Sequence, residues 1–405
     1  MLKQEEPENG KVSDTESDDD SSTAVFFSSS TAVKYPLTAL NITSATRSYE
    51  QGFWQQTPPV PLSRWKANSN TTCIKENNSD HRHKTNDRSQ PRDTELRHRV
   101  PFVMVLGAQK AGTTALVKYL STHPHIQHLP IKELRYFDEY LDGNPDNILL
   151  QDNGGGIPAD KVLQVYQEQV IGGIIPLEVL QLSSYLKVVD GTPNYLMMSD
   201  RVPQRVLCAA PWVKLIVLLR NPVDRAFSQY NMQYHRDVHN PTNRRGFSTF
   251  EEYIDMDIRV LNDVGVLNNA TVLDEEYLSS QQLMASWSTY TKLGLNSPVG
   301  RGLYAIQLYH WLQQMKAYGK DSNTDLLVLQ SERMNNDTKE TFDEVLQFLE
   351  LPNHTLPQFG KIHTTTYRTK RMEQSTRSRL EDIFRPFNRH LERLLGDDWR
   401  GVWDG

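Results

Sequence analysis

Apolar residues gather in short unbroken runs along this chain and seldom alternate. Residues 102–107 read as a buried strand, Leu186 to Asp190 as a second short one, Leu215 to Leu219 as a third, all apolar as a central parallel strand is, and Leu326 to Leu329 as a fourth. Between these runs the period becomes helical. Thr113 to Thr122 predicts a helix that His123-Pro124 ends. Asn221-Pro222 supplies an N-cap and an N1 proline directly behind the third strand. Leu303 to Ala317 reads as an amphipathic helix, and residues 338–350 and 374–395 as two more that close the domain. Strands alternating with helices predict an α/β, P-loop-like three-layer fold. Its central parallel sheet is flanked by helices, with ligand expected at the carboxyl ends of the strands.

Two stretches break the pattern. Residues 235–300 are more polar and carry no clear strand, and are expected to form an insertion over the cleft. Residues 1–98 are rich in Asp, Ser, Thr and Asn, with too few apolar groups to offset the entropy lost on folding. They are expected to form a disordered arm, with Phe26, Phe27, Trp54 and Trp65 as exceptions able to dock on the body, and residues 99–405 to form one domain. There is no internal repeat.

Charge changes the picture locally. Residues 1–30 hold eight acids and two lysines, a balance of −6; the whole chain of 405 residues is also −6, so residues 31–405 sum to zero. A neutral body argues against nucleic acid as a partner but allows a local basic cleft. The longest apolar run is far short of the roughly 20 residues of a membrane span, and no signal peptide is visible. The two cysteines, Cys73 and Cys208, are readable either as a pair or as two free thiols.

The chemistry is concentrated behind the first strand. Leu106-Gly-Ala-Gln-Lys-Ala-Gly-Thr-Thr-Ala115 is a glycine loop entering a helix, which offers backbone N–H groups and a positive dipole end to an anion. A Walker A loop places its lysine after the second glycine. Here Thr113 holds that place and the lysine is Lys110, inside the loop. The third strand runs into Arg220-Asn-Pro-Val-Asp-Arg-Ala-Phe-Ser228 on the same rim. Arginine offers a bidentate fork to phosphate and serine a further donor. Two phosphate sites on one rim suit a nucleoside 3′,5′-bisphosphate. The structural alternative is that Arg220 pairs with Asp224 at the helix start.

These residues resemble the sulfotransferases that use 3′-phosphoadenosine 5′-phosphosulfate (PAPS), above all the Golgi carbohydrate enzymes of the heparan and chondroitin sulfate type. The resemblance is carried by Leu106–Leu116, by Val202-Pro-x-Arg-Val with Lys214–Tyr230, by Arg301–Leu308 with Leu327–Glu332, and more weakly by Tyr367–Asn388. It implies that Lys110, Ala111, Gly112, Thr113, Thr114 and Ala115 hold the 5′-phosphosulfate, with Lys110 stabilising charge on the bridging oxygen. Arg220 and Ser228 would hold the 3′-phosphate, with Lys370 and Arg371 closing over it. Glu133, in Lys132-Glu-Leu-Arg-Tyr-Phe-Asp138, is the implied general base, and Lys132 would neighbour the transferring sulfuryl group or the sugar acid. Arg135, Asp138 and Arg301 are candidate acceptor contacts. The further basic residues Arg236, Arg244 and Arg245 would suit an acidic polysaccharide.

The chain departs from that pattern in three places, one of them the late lysine- and glycine-rich loop over the nucleotide, whose nearest counterpart here is Tyr367-Arg-Thr-Lys-Arg-Met372. Arg135 stands where the heparan branch often has histidine, and Gly191 where it often has lysine before Thr-Pro or Ser-Pro. His123, His125 and His128 are alternative bases, expected to be solvated at a helix end, and His363 is a weaker one. No metal is expected: the leaving group is a phosphate, and no His/Cys/Asp cluster has ligand spacing. The implied partner is a carbohydrate acceptor, with no nucleic acid. The implied compartment is the Golgi lumen, membrane attachment coming only through an anchor not seen in this chain. Sequons at Asn41, Asn70, Asn77, Asn269, Asn336 and Asn353 fit that compartment. Competing readings are a P-loop kinase or NTPase and a non-catalytic carbohydrate-binding relative.

Overall fold

The computed structural model describes residues 102–127, 129, 131–140, 166, 186–239, 249–267, 275–293, 296–356 and 371–403. Five strands pair in the order β2-β3-β1-β4-β5, every pair parallel. They are β1 (Phe102–Gly107), β2 (Ile126–Gln127), β3 (Lys187–Asp190), β4 (Lys214–Leu219) and β5 (Leu326–Gln330). The apolar runs are what a sheet covered on both faces demands. Leu215 to Leu219 in β4 and Met104 to Leu106 in β1 have no solvent exposure at all. β4 and β5 pair in unbroken register from Leu215 against Leu326 to Leu219 against Gln330.

β1 and β4 are neighbours, yet the chain leaves them in opposite directions. From β1 it passes through α1 (Thr113–Leu120) to β2 and β3 on one side; from β4 it passes through α4 (Pro222–His239) and on to β5 on the other. That divergence is the switch point where open α/β sheets hold ligands. Between β3 and β4 lie α2 (Asn194–Met197) and α3 (Val202–Ala209). Later come α5 (Phe250–Asp263), α6 (Glu275–Ser279), α7 (Gln281–Lys292), α8 (Tyr304–Ala317), α9 (Ser322–Asp325), α10 (Ser331–Asn336), α11 (Thr338–Phe348) and α12 (Gln374–Leu395).

Four expectations are modified. β2 was not visible in the sequence, because two residues leave no period to read. The helix expected to be amphipathic, α8, is buried at every position from Tyr304 to Trp311, since it packs against α2, α3 and α12 together. Among the described residues of 235–300 there is no strand, as expected, but the segment is folded into the body. α5 opens with a capping box between Thr249 and Glu252. Buried Asp257 accepts from Tyr290 Oη at 2.5 Å and from the backbone N–H groups of Val299 and Gly300. Finally, His123 and His125 are buried, not solvated. The backbone N–H of His125 donates to His123 Nδ1 at 3.0 Å, and His123 Nε2 lies 3.0 Å from the carbonyl of Pro352. His128 and the arm 1–98 lie outside the described residues.

Candidate active site

The loop after β1 is shaped by two left-handed residues. Lys110 has φ 70° and Gly112 has φ 94°. Such alternation turns successive N–H groups into one concavity, the geometry of an anion nest. Glycine is required at the mouth for a second reason: a Cβ on Gly107 would lie 2.8 Å from Leu196 Cβ and 2.9 Å from the carbonyl oxygen of Pro193. Ala111 is fully buried beneath the loop and Thr113 nearly so, while Thr114 and Ala115 are half-buried. α1 begins with no side-chain cap and no acid in its first turn, so its positive end faces the loop undiminished.

The second cationic group arrives on the neighbouring strand. Arg220 follows β4 and donates from Nη1 to the carbonyl of Lys110 at 3.2 Å. Its backbone is pinned by Tyr304 Oη, which donates to the carbonyl of Arg220 at 2.9 Å. Glu332 Oε1 accepts from Asn221 N at 2.8 Å. Asn221 Oδ1 takes the N–H groups of Val223 and Asp224, as an N-cap should. The alternative pairing of Arg220 with Asp224 is not the one formed: Asp224 pairs with Arg377 at 2.5 Å. Ser228 is half-buried two turns into α4. Arg371 is exposed ahead of α12, and Lys370 lies outside the described residues.

A third group of residues sits over the loop from the side of β3. Lys132 Nζ donates to Thr113 Oγ1 at 3.3 Å and to Glu133 Oε1 at 2.9 Å, so one ammonium touches both the loop and the carboxylate. Both side chains keep part of their surface in solvent, 22% and 33%. Their segment is held through its backbone. Leu134 N–H donates to Asp190 Oδ1, Arg135 N–H to Thr192 Oγ1, and the N–H groups of Tyr136 and Phe137 to Tyr195 Oη. Asp190 in turn accepts from the N–H and hydroxyl of Thr192 and from the hydroxyls of Tyr195 and Tyr166. Burial raises the Asp190 carboxyl to about 6, against the pull of those hydrogen bonds.

Arg135 adopts φ 53°, so two of the four non-glycine residues with positive φ among the described residues, Lys110 and Arg135, are candidate site residues. Asp138 and Arg301 are joined through a residue the sequence did not single out. Asn194 Nδ2 donates to Asp138 Oδ2 at 2.7 Å, and Arg301 Nη2 donates to Asn194 Oδ1 at 2.9 Å. Burial, helped by nearby Arg225, lowers the Arg301 guanidinium to about 10. Asp190, Thr192, Asn194 and Tyr195 were all missed. Their one signal was an aspartate ending an apolar strand on the ligand-bearing rim.

A cavity of about 390 Å³ opens beside this assembly, between α1 and the β2 edge. Thr114 and Lys132 line it, with Lys118, Ser121, Gln127 and Leu129. Among the described residues no group of three His, Cys, Asp or Glu side chains is placed to hold a metal ion. His363 lies outside the described residues, as do Arg244 and Arg245, while Arg236 is half-buried near the end of α4.

A parallel α/β sheet thus carries a glycine loop of non-Walker type at its switch point, with a cation on the adjoining strand end. Residues 101–400 match the sulfotransferase domain, and the chain belongs to that family. It is 24% identical over 328 residues to the human heparan sulfate glucosamine 3-O-sulfotransferase 6, spanning 75% of this chain and 74% of that one. It is also 24% identical to carbohydrate sulfotransferase 15 of Rattus norvegicus, over 74% of this chain and 54% of that one. With the bifunctional heparan sulfate N-deacetylase/N-sulfotransferase 4 of Mus musculus it shares 25% over 63% of this chain and 23% of that one. A solved sulfotransferase from Alicyclobacillus acidocaldarius covers 74% of this chain and 98% of its own, at 24% identity and a TM-score of 0.47.

Proposed function

We propose that this sulfotransferase moves a sulfuryl group from PAPS to a hydroxyl of a carbohydrate, an acidic polysaccharide of the glycosaminoglycan kind. The observation that carries the reading is the meeting of three elements: the glycine loop, Arg220 bonded to it from the next strand, and the Lys132–Glu133 pair bonded to its Thr113. The relatives named for heparan sulfate and carbohydrate sulfation support the acceptor class.

In this reading the loop from Lys110 to Ala115 holds the 5′-phosphosulfate, and Arg220 and Ser228 hold the 3′-phosphate. Arg371 is assigned to close over the 3′-phosphate; Lys370, assigned the same role, lies outside the described residues. Glu133 takes the proton of the acceptor hydroxyl as its oxygen attacks sulfur. The S–O bond to the phosphate breaks, and Lys110 meets the charge growing on that oxygen, where fixed donors do most for rate. Adenosine 3′,5′-bisphosphate and the sulfated sugar leave. Charge balance needs no metal. The cavity beside Thr114 and Lys132 receives the acceptor, with Lys118 facing its anionic groups. Arg135, Asp138 and Arg301 then act behind that cleft.

A luminal site in the Golgi accords with two further facts. Cys208 is disulfide-bonded, as thiols become in an oxidising compartment; Cys73, the only other cysteine in the chain, lies outside the described residues. Asn336 and Asn353, both in sequons, are exposed.

The test is calorimetric titration of the full chain with adenosine 3′,5′-bisphosphate, beside ATP with Mg²⁺. Micromolar binding of the bisphosphate, lost in Arg220→Ala, is expected. ATP bound in its place would overturn the donor assignment.

A further inference from the structure

Three backbone contacts lace the turn after β3 to the segment that carries Glu133. Gly191 N–H donates to the carbonyl of Lys132 at 3.0 Å, Leu134 N–H to Asp190 Oδ1 at 3.4 Å, and Arg135 N–H to Thr192 Oγ1 at 3.1 Å. The two segments therefore run side by side, and position 191 faces the side chain of Lys132. Gly191 is not among the residues of positive φ, so its backbone does not call for glycine. The space around it does. A Cβ there would lie 2.8 Å from Val117 Cγ2, and 3.2 and 3.3 Å from Cγ and Cε of Lys132. The lysine stem lies across the bare face of the glycine, and its ammonium ends at Thr113 Oγ1 and Glu133 Oε1.

We propose that Gly191 is a positioning residue: its missing side chain seats Lys132 so that one ammonium bridges the anion loop and the candidate base. This rests on the sulfotransfer reading above. With the Lys132 backbone already fixed, the direction of the stem is set by what it lies against, and only glycine leaves that channel open. A methyl group at 191 pushes the stem out and takes the ammonium away from Thr113, without touching the loop itself.

The experiment uses the full chain as wild type, Gly191→Ala, Lys132→Ala and the double variant. Gly191→Ala is expected to lower kcat with PAPS by about tenfold. In the Lys132→Ala background it should cost no more than about twofold, since coupled residues are not additive. Val117→Ala/Gly191→Ala removes the closest contact and keeps the two with Lys132, so it should melt like wild type and retain the loss. A second readout is independent of turnover: the rate of reductive methylation of Lys132, followed by peptide mass spectrometry. It should rise several-fold in Gly191→Ala, because the ammonium is no longer held. Losses that multiply on the Lys132→Ala background, or unchanged labelling of Lys132 in both Gly191 variants, would overturn the proposal. If wild type fails to turn over PAPS, the sulfotransfer reading falls by itself and the labelling rates still decide the role of Gly191.

Discussion

The two sides of the candidate site are built by different means. The proposed donor side is a contiguous stretch of backbone, residues 107–115, whose N–H groups and helix end would do the holding, with one arginine added from the adjoining strand. The acceptor side has no such stretch. Its Lys132–Glu133 pair rides on a segment tied down by Asp190, Thr192 and Tyr195, residues more than fifty positions away in sequence. Lys110 and Arg220 apart, a backbone site tolerates many side chains so long as its glycines stay. A side-chain site depends on each partner, and can be rebuilt for another sugar without disturbing the nucleotide.

Substitutions can break or sharpen that contrast. The largest effect is expected on the donor side, where Lys110→Ala should lower kcat by about 10³-fold, measured by transfer of label from PAPS. A near-normal rate would remove Lys110 from the chemistry. Glu133→Gln should lower kcat by about 10²-fold and leave bisphosphate affinity unchanged by calorimetry. If that affinity collapsed, the two sides would not be separable. Tyr195→Phe strands the N–H groups of Tyr136 and Phe137, and should cost about 2–4 kcal/mol in denaturant unfolding. The nucleotide should still bind as before, because the loop is untouched.

The smallest effect concerns neither side. Burial lowers both His123 and His310 to about 4, from an ordinary 6.5. The unfolded chain therefore takes up protons first as pH falls. The stability these rings hold is present above pH 6.5 and is lost between about 6.5 and 4. Each contributes roughly 2–3 kcal/mol at most. Asp190, raised to about 6, opposes them, since its ionised form is the one the fold disfavours. The double variant His123→Gln/His310→Gln should flatten the fall in melting temperature across that window and leave kcat at pH 7 unchanged.

The same contrast explains what could be read from the sequence. The sheet was legible because β1, β4 and β5 are built on apolar runs and β3 on a short Val188-Val189 core, and the glycine loop because its spacing is local. Asn221 was legible as an N-cap for the same reason. β2 escaped because two residues have no period. α8 was misread because tertiary packing covers its polar face as well: Gln307 and His310 are buried there. The buried histidines were misread because a polar residue at a helix end gives no sign of what lies over it, and Pro352 comes from more than two hundred residues away. Asn194, which joins Asp138 to Arg301, has no local mark at all.

The bond from Arg220 to the carbonyl of Lys110 joins the ends of two neighbouring strands. Parallel neighbours lie about 4.8 Å apart, a spacing fixed by backbone hydrogen bonds. Two anion subsites mounted on such a pair would act as the jaws of a gauge. If the loop and Arg220 grip opposite ends of a nucleotide, the protein sorts nucleotides by the separation of their charged ends before reading any base. A triphosphate, with all its charge at one end, fills only one jaw.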